Sequence, residues 1–389
     1  MPEIRQGVFM KMLVLGAGLQ GCAAAYDLLQ VPAVTQVTLA DLNPDRLPKF
    51  LQGDHGGRLK TLKLDVKDEA AVRQAMHGHV AVLCALPYYF NEPMARAAVE
   101  VGAHFCDLGG NTEIVLQQKK LDKAAKAKGV SVIPDCGLAP GMVNILAAEG
   151  IRRLDKVERV KIYVGGLPQK PEPPLNYQIV YSLEGALDYY TTPSLVLRGG
   201  KKVEVDALSE LEDVEFPAPV GKLEAFHTAG GISTLPITFE GKVGVMEYKT
   251  LRYPGHVAIM RPIRELGLLD LKPITVKGQP VVPRDLFIAA VTPKLHKPEG
   301  HDLVALRVEV TGTMGGKPAR AAWQLIDTYD AKHGISAMMR TTGYSLAITG
   351  LMQADGRVQT HGVLTPDAAV PAGEYIAELG RRGVNIVEI

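Results

Sequence analysis

The chain has 389 residues, and its 43 lysines and arginines nearly balance 42 aspartates and glutamates, leaving a formal net charge of +1. A near-neutral chain without dense basic runs is not expected to bind a nucleic-acid backbone. No apolar stretch reaches the roughly 18 residues that a membrane-spanning helix needs, and the first residues lack the apolar core of a signal peptide. We therefore expect a cytoplasmic protein whose partner is a small molecule, without nucleic-acid or membrane partners.

The first predicted elements are a strand, a tight turn and a helix around Gly16–Gly21. This Gly-x-Gly-x-x-Gly spacing is the dinucleotide-binding fingerprint. The first glycine permits the turn, the second leaves room for a pyrophosphate, and the third lets helix and strand pack closely. Backbone amides at the start of the helix would face the phosphates. The predicted loop residues at the cofactor are Gly16, Gly18, Leu19, Gln20 and Gly21.

A second predicted strand ends in Asp41, twenty residues after Gly21. A carboxylate in this position can accept both ribose hydroxyls of an adenosine. A 2′-phosphate would face the same carboxylate, and Arg46 is the only nearby cation, so NAD is predicted and NADP is less favoured. Further cofactor contacts are predicted at the ends of later strands, namely Asp65, Val66, Leu86 and Pro87.

The order of predicted elements divides the chain into three parts. Apolar strands alternate with helices over residues 10–136, which predicts an α/β fold with a Rossmann-type doubly wound parallel sheet. Strands and Gly-Gly turns dominate residues 137–335, which predicts a second, α+β domain with a mostly antiparallel sheet that has one face against helices and the other available to a second subunit. Residues 336–389 contain helices that we expect to return to the first domain.

The four cysteines are not spaced as a metal site or a redox pair, so we expect reduced thiols and no bound metal. They are Cys22, Cys84, Cys106 and Cys136.

Several segments resemble the saccharopine dehydrogenase family, namely Cys84–Asn91, His104–Gly110 and Pro134–Gly141. Residues 221–236 and 248–256 resemble its lysine 6-dehydrogenase branch. The resemblance extends over nearly the whole chain. It implies a dimeric oxidoreductase with this two-domain layout that acts on a carbon–nitrogen bond of amino-acid substrates.

Oxidation of an amine needs a group that takes the ammonium proton. Asp107, at a strand end, and His227, in a glycine-rich segment, are the two candidates within the family motifs. Each also has a structural interpretation, Asp107 as a carboxylate that caps backbone amides in a turn and His227 as a hydrogen-bonded core residue.

Arg252 is the candidate clamp for a substrate carboxylate, because a guanidinium matches a carboxylate bidentately; the alternative is a surface ion pair. Tyr88, Tyr253 and His256 either line the substrate pocket or serve as packing residues. Cys136 matches a substrate-contacting position in the saccharopine-forming relatives, so we expect it to line the pocket without acting as a nucleophile.

The resemblance favours NAD-dependent oxidation of L-lysine at carbon 6 to allysine, which cyclises to piperideine-6-carboxylate. A second interpretation is reductive condensation of the saccharopine or carboxynorspermidine dehydrogenase type. A third, from another class, is a non-catalytic dinucleotide-sensing protein. The number of cations in the cleft separates the first two, because a saccharopine-type substrate needs more than one basic clamp.

Overall fold

The computed structural model describes residues 10–389, which contain eighteen strands and thirteen helices. The strands are β1 (Met10–Leu15), β2 (Val34–Asp41), β3 (Leu59–Lys63), β4 (Ala81–Cys84), β5 (His104–Asp107), β6 (Ser131–Ile133), β7 (Lys156–Pro168), β8 (Ser194–Arg198), β9 (Lys201–Val205), β10 (Glu212–Phe216), β11 (Gly221–His227), β12 (Val243–Arg252), β13 (Ile274–Val276), β14 (Gln279–Val281), β15 (Asp302–Met314), β16 (Lys317–Thr328), β17 (Gly362–Val363) and β18 (Val387–Glu388). The helices are α1 (Leu19–Leu29), α2 (Glu69–Met76), α3 (Asn91–Val101), α4 (Thr112–Gln118), α5 (Asp122–Lys128), α6 (Met142–Arg152), α7 (Leu183–Thr191), α8 (Leu235–Thr238), α9 (His256–Glu265), α10 (Pro283–Leu295), α11 (Ala337–Ala354), α12 (Pro366–Ala369) and α13 (Ala372–Arg381).

The first sheet has seven strands in the order β17-β6-β5-β4-β1-β2-β3, and every pairing is parallel. Successive residues of β1 enter different cores: Met12 and Val14 pack with α1 and α11, whereas Leu13 and Leu15 pack with α2 and α3. A sheet buried on both faces needs such continuous apolar strands. The predicted Rossmann-type sheet is therefore confirmed.

The second sheet has nine strands, and only the pairing of β12 with β7 is parallel. The sheet curls strongly: the guanidinium of Arg307 on β15 lies 4.3 Å from the ring centre of Phe216 on β10, although three strands separate β10 from β15 in the sheet order. We call the enclosed side the concave face. On the opposite, convex face Ile162 and Val308 pack toward α6, and Phe226 packs with α7 and α9. The predicted mostly antiparallel second domain is confirmed.

The C-terminal part of the chain contacts both domains. Helix α11 lies against α1, β4 and β5, and its Gln353 donates hydrogen bonds of 3.0 Å to the carbonyls of Phe105 and Ser131. The short strand β17 extends the first sheet beside β6, whereas β18 pairs with β16 of the second sheet. Within residues 10–389, no helix is both long enough and apolar enough to cross a bilayer.

Candidate active site

The glycine loop between β1 and α1 has the shape that a dinucleotide needs. Gly16 has φ +97°, and a Cβ there would lie 2.9 Å from the carbonyl oxygen of Ala85. A Cβ on Gly21 would collide with the carbonyl oxygen of Gly16, so this glycine is required for close packing of α1 on the turn. A Cβ on Gly18 would meet nothing within 4 Å, and no side chain caps the helix that begins at Leu19. Open space therefore lies before free helical amides, which is where a pyrophosphate fits.

Asp41 lies at the end of β2, directly over this loop. Its Oδ2 accepts a 2.7 Å hydrogen bond from the amide of Ala17, and its Oδ1 accepts one of 2.9 Å from the amide of Asn43. The carboxylate is thus held in place while remaining partly accessible for a ribose. Arg46 is exposed and forms no ion pair within the described range. These contacts place a carboxylate where the adenosine ribose of a dinucleotide lies.

The other predicted cofactor residues also follow strands of the first sheet. Asp65 is exposed and accepts a 3.0 Å hydrogen bond from the amide of Lys67, and Val66 is half-buried. Leu86 lies beside Gly16, and Pro87 is exposed.

Tyrosines from both domains gather beside the end of β5, around Gly110 and Gly230. We call this region the cleft. A Cβ on Gly110 would lie 3.5 Å from Tyr88 and 3.7 Å from the hydroxyl of Tyr189. A Cβ on Gly230 would come within 2.7 Å of the Tyr189 ring. Tyr189 thus contacts loops of both domains. Tyr189 was not predicted, because a single tyrosine outside any motif carries no sequence signal.

Gly231 and Tyr248 form the next part of the cleft. A Cβ on Gly231 would collide with the ring of Tyr248. Because Gly230 and Gly231 have no side chains, Tyr189 and Tyr248 can both approach the loop that contains them. Tyr248 belongs to a group of mostly buried tyrosines that surround Arg252 and that we call the tyrosine cluster: Tyr177, Tyr181, Tyr190 and Tyr248.

Arg252 is buried among these rings and lacks an acidic partner. Its exposed fraction is 2%, its guanidinium lies 4.8 Å from the ring centre of Tyr177, and its Nη1 donates to the carbonyl of Leu251 at 2.8 Å. Its Nε has no hydrogen-bond partner, and no acidic side chain of residues 10–389 lies within 4.0 Å. Glu224, its register neighbour, instead accepts the amides of Gly255 and Val257.

Arg252 stays protonated although it is buried. Burial alone lowers the pKa of a guanidinium, but the hydroxyls of Tyr190, Tyr177 and Tyr181 outweigh it and raise the pKa of Arg252. Lys249 and Arg284 are the other buried cations of the described range, and they pair with Glu212 and Asp188. Among the buried cations of residues 10–389, Arg252 is therefore the one without an acidic partner.

His256 supports the tyrosine cluster and has no nitrogen left for a substrate. Its Nε2 lies 3.1 Å from the hydroxyl of Tyr190, and its Nδ1 lies 3.1 Å from the carbonyl oxygen of Leu175. Burial, followed by the charge of Arg252, lowers the pKa of His256 to about 3, so the ring is neutral. These contacts match the packing alternative for His256, and its place in a substrate pocket stays a prediction.

His227 lies on the other side of the second sheet from Arg252. His227 pairs with Lys249 and Glu224 pairs with Arg252, so alternation along β11 and β12 sends His227 to the concave face. There its Nε2 lies 3.0 Å from Glu210, and burial lowers the pKa of His227. The structure thus separates this candidate proton acceptor from the cleft.

Glu210, His227 and Glu247 offer ligand atoms within 4.8 Å of one another. However, Glu247 forms ion pairs with Arg198 at 2.7 Å and with Lys161 at 3.4 Å. Cations already neutralise this cluster on the concave face, so it has the character of an ion-pair network.

Tyr253 follows Arg252 but belongs to a different core. It packs against the apolar cluster of the concave face, and its hydroxyl donates to the carbonyl of Pro168 at 3.1 Å. These contacts match the packing alternative for Tyr253, and its position in the substrate pocket stays a prediction.

Asp107 is completely buried, and hydrogen bonds fill its carboxylate. Gln118 Nε2 and the amide of Gly109 each donate to it at 2.7 Å, and the amide of Asp135 donates at 3.3 Å. Burial raises the pKa of Asp107 to about 6, whereas these donors lower it. Of the two interpretations of Asp107, these contacts match the turn-capping carboxylate.

Two neighbours at the end of β6 differ in their surroundings. Cys136 donates its thiol to the carbonyl of Ile133 at 3.1 Å, and burial raises its pKa well above the ordinary range. It is 1% exposed and packs in the main core, and its contact with a substrate stays a prediction. Asp135, which the sequence analysis did not select, is fully buried with neither carboxylate oxygen hydrogen-bonded.

Comparisons with known proteins agree with this arrangement. The model of the saccharopine dehydrogenase NADP binding domain matches residues 12–133, and that of the saccharopine dehydrogenase C-terminal domain matches residues 137–384. The chain is 22% identical to the saccharopine dehydrogenase (NADP(+), L-glutamate-forming) of Schizosaccharomyces pombe, over 97% of this chain and 98% of that protein. It is 21% identical to the carboxyaminopropylagmatine dehydrogenase of a Synechocystis strain, over 96% of each.

Among solved structures, apo saccharopine dehydrogenase (L-Glu forming) from Saccharomyces cerevisiae superposes with a TM-score of 0.80 at 20% identity, over 98% of this chain and 99% of that chain. The likeness extends through both domains and shows the same fold. With a dinucleotide loop in the first domain and family models that match both domains, the chain belongs to the saccharopine dehydrogenase family of oxidoreductases.

Proposed function

We propose that this chain is an NAD-dependent dehydrogenase that oxidises the bond between carbon 6 and the side-chain nitrogen of L-lysine. The observation that carries the proposal is Arg252, a buried guanidinium that lies among tyrosine rings without an acidic partner. A buried charge that lacks a counter-ion is costly, so its retention indicates a ligand that supplies one. One free cation matches a substrate with one carboxylate.

The first domain would hold the cofactor, and its contacts favour NAD. Free amides at the start of α1 would bind the pyrophosphate, and Asp41 would accept the adenosine ribose hydroxyls. A 2′-phosphate would meet the Asp41 carboxylate without a cation to balance it. The bound nicotinamide would accept a hydride, and this chemistry belongs to the cofactor.

The role of the chain is then to position lysine and to exclude water. Arg252 would hold the α-carboxylate by a bidentate pair, while Tyr248 and Tyr189 would direct the aliphatic chain toward the strand ends of the first sheet. Oxidation gives an imine that water hydrolyses to allysine and ammonia, after which the aldehyde cyclises to piperideine-6-carboxylate.

A second candidate is reductive condensation that yields a carboxylated polyamine. The similarity to the Synechocystis carboxyaminopropylagmatine dehydrogenase favours it, and products of the carboxynorspermidine type also carry a single carboxylate. The tyrosine cluster could face a cationic chain as readily as a methylene chain. Saccharopine carries more carboxylates than Arg252 alone can balance, so the geometry favours it less.

The test measures NADH formation at alkaline pH with lysine, saccharopine, carboxynorspermidine and carboxyaminopropylagmatine, each with NAD or NADP. 1,5-Diaminopentane is the matched control, because it is lysine without its carboxylate. We expect turnover of lysine with NAD and at least tenfold lower kcat/KM for the diamine. Turnover of a polyamine alone would establish the second candidate. Cofactor binding without any turnover would indicate the dinucleotide-sensing class.

We also propose that the protein is a homodimer. Large apolar side chains are exposed on the hairpin β13–β14, such as Ile274 at 54%, and in the segment that joins α9 to this hairpin, including Leu266 at 77% and Leu271 at 60%. A second copy would remove this surface from water. Light scattering on wild type and on Leu271→Glu tests the proposal, and a monomeric wild type would contradict it.

A further inference from the structure

Asp135 has an unusual environment for a buried acid. It is 0% exposed, and neither carboxylate oxygen has a hydrogen-bond partner. Other buried aspartates are bonded: Asp107 accepts three donors, and Asp302 accepts the amides of Ala337 and Met338. Among residues 10–389, Asp135 is the buried aspartate with both oxygens unpartnered. Such a group is retained against its desolvation cost, which is typical of functional positions.

The backbone at Asp135 is also unusual. Its φ is 64°, in the left-handed region that only a few per cent of non-glycine residues adopt. Ser233, from the glycine-rich loop of the second domain, has φ 43° and an unpartnered hydroxyl. This hydroxyl lies close enough to the carboxyl to lower its pKa, although the two do not form a hydrogen bond of good geometry. Two strained polar residues therefore meet where the domains face each other.

The carboxyl lies next to the cleft. Asp135 follows β6 at the carboxyl edge of the parallel sheet, where nucleotide ligands bind. It packs directly over Gly109, where a Cβ would collide with its Oδ1. The next residue, Gly110, faces Tyr88 and Tyr189.

We infer that Asp135 is the proton acceptor of the amine oxidation and that Ser233 links it to the substrate nitrogen. This inference rests on the proposed function and adds to it the residue that carries the proton. The carboxylate takes one proton from the ammonium, and the electrons of that N–H bond remain on nitrogen as a lone pair. The lone pair then forms the C=N bond as the adjacent C–H leaves as hydride to the pyridine nucleotide. The charges and atoms balance without a further reactant.

The charges around Asp135 suit a group that exchanges a proton near neutrality. Burial raises its pKa to about 7, and the negative charges of Asp107 on β5 and Asp367 on α12 act in the same direction. The Ser233 hydroxyl and the Lys119 ammonium lower it. Tyr189 on α7 also faces this carboxyl, which raises the pKa of the tyrosine.

The pH dependence of kcat/KM with the substrate identified above tests the inference. Wild type should lose activity below about pH 7, and we call this fall in kcat/KM the acidic limb of the profile. Asp135→Asn should lower kcat on the order of 100-fold or more and abolish that acidic limb, and Asp135→Glu should restore part of both. Ser233→Ala should shift the limb to higher pH, because the hydroxyl lowers the pKa of the acid. NAD binding, followed by calorimetry, should be unchanged in all three variants.

The matched control is Asp302→Asn, a buried acid whose oxygens both accept backbone amides at the start of α11. It should lower stability without moving the acidic limb. An active Asp135→Asn enzyme that keeps both its rate and the limb would overturn the inference while leaving the proposed function intact. A wild type that turns over no substrate of the panel would remove both.

Discussion

Replacing Asp135 by asparagine should stabilise the folded protein at alkaline pH, although it removes the proposed proton acceptor. In the unfolded chain an aspartate releases its proton near pH 3.9, roughly. In the folded chain burial raises the pKa of Asp135 to about 7. Between these values only the unfolded state gains from ionisation, so the free energy of unfolding of wild type falls as pH rises and levels off above about pH 7.

The size of this effect follows from the difference in pKa. About three units at about 1.4 kcal/mol each give an upper bound of about 4 kcal/mol. Asparagine keeps the shape, does not ionise and tolerates left-handed backbone as well as aspartate does. The variant therefore escapes the penalty without new strain.

The assay compares urea unfolding of wild type and Asp135→Asn at pH 4 and pH 8. The two proteins should be similar at the acidic pH, and the variant should be more stable at the alkaline pH by at least about 1 kcal/mol, a fraction of the upper bound. No turnover is needed for this measurement, so it is independent of the substrate. A variant that is destabilised equally at both pH values would refute the assignment of Asp135 as a buried, protonated acid.

Four further outcomes are expected. Gly18→Val should leave the free energy of unfolding within about 0.5 kcal/mol but weaken NAD binding at least tenfold by calorimetry, whereas Gly21→Ala, whose Cβ collides with Gly16, should cost about 1–3 kcal/mol of stability. Asp41→Ala should weaken NAD more than NADP, and an unchanged ratio of the two dissociation constants would contradict ribose binding. Arg252→Ala should lower kcat/KM for lysine, by a loss of about 2–4 kcal/mol of transition-state stabilisation, and should leave kcat/KM for 1,5-diaminopentane unchanged. Arg252→Lys should lie between Arg252→Ala and wild type. Equal losses on both substrates would argue against the clamp. His227→Gln should lower stability by about 1 kcal/mol and leave the acidic limb of kcat/KM in place, and a lost limb would return His227 to the list of proton acceptors.

The cofactor half of the site could be predicted because its determinants are local. The strand, turn and helix around Gly16–Gly21 are adjacent in sequence. The space around each glycine in the structure matches the steric role that the sequence predicted for it. Asp41 required one further inference, that neighbouring parallel strands end at the same edge. Spacing along the chain was sufficient for both.

The substrate half depended on register and on backbone conformation, which the sequence pattern does not report. His227 and Arg252 both lie in family-like segments, but pairing of β11 with β12 places them on opposite faces. Tyr189 reaches the cleft from a helix and carries no motif. Asp135 lies in the family-like segment Pro134–Gly141, but its left-handed φ and its unpartnered carboxylate oxygens are visible only in the folded chain.

Two buried charged groups within residues 10–389 lack a partner of the opposite charge. Asp135 of the first domain lacks a donor, and Arg252 of the second domain lacks a carboxylate. An amino acid with an ammonium at one end and a carboxylate at the other supplies both missing partners at once, whereas either group alone would be better replaced by an apolar residue. Buried charged groups without partners occur most often where a bound ligand supplies the missing partner. Asp135 and Arg252 together therefore support a zwitterionic amine as the substrate more strongly than either residue alone.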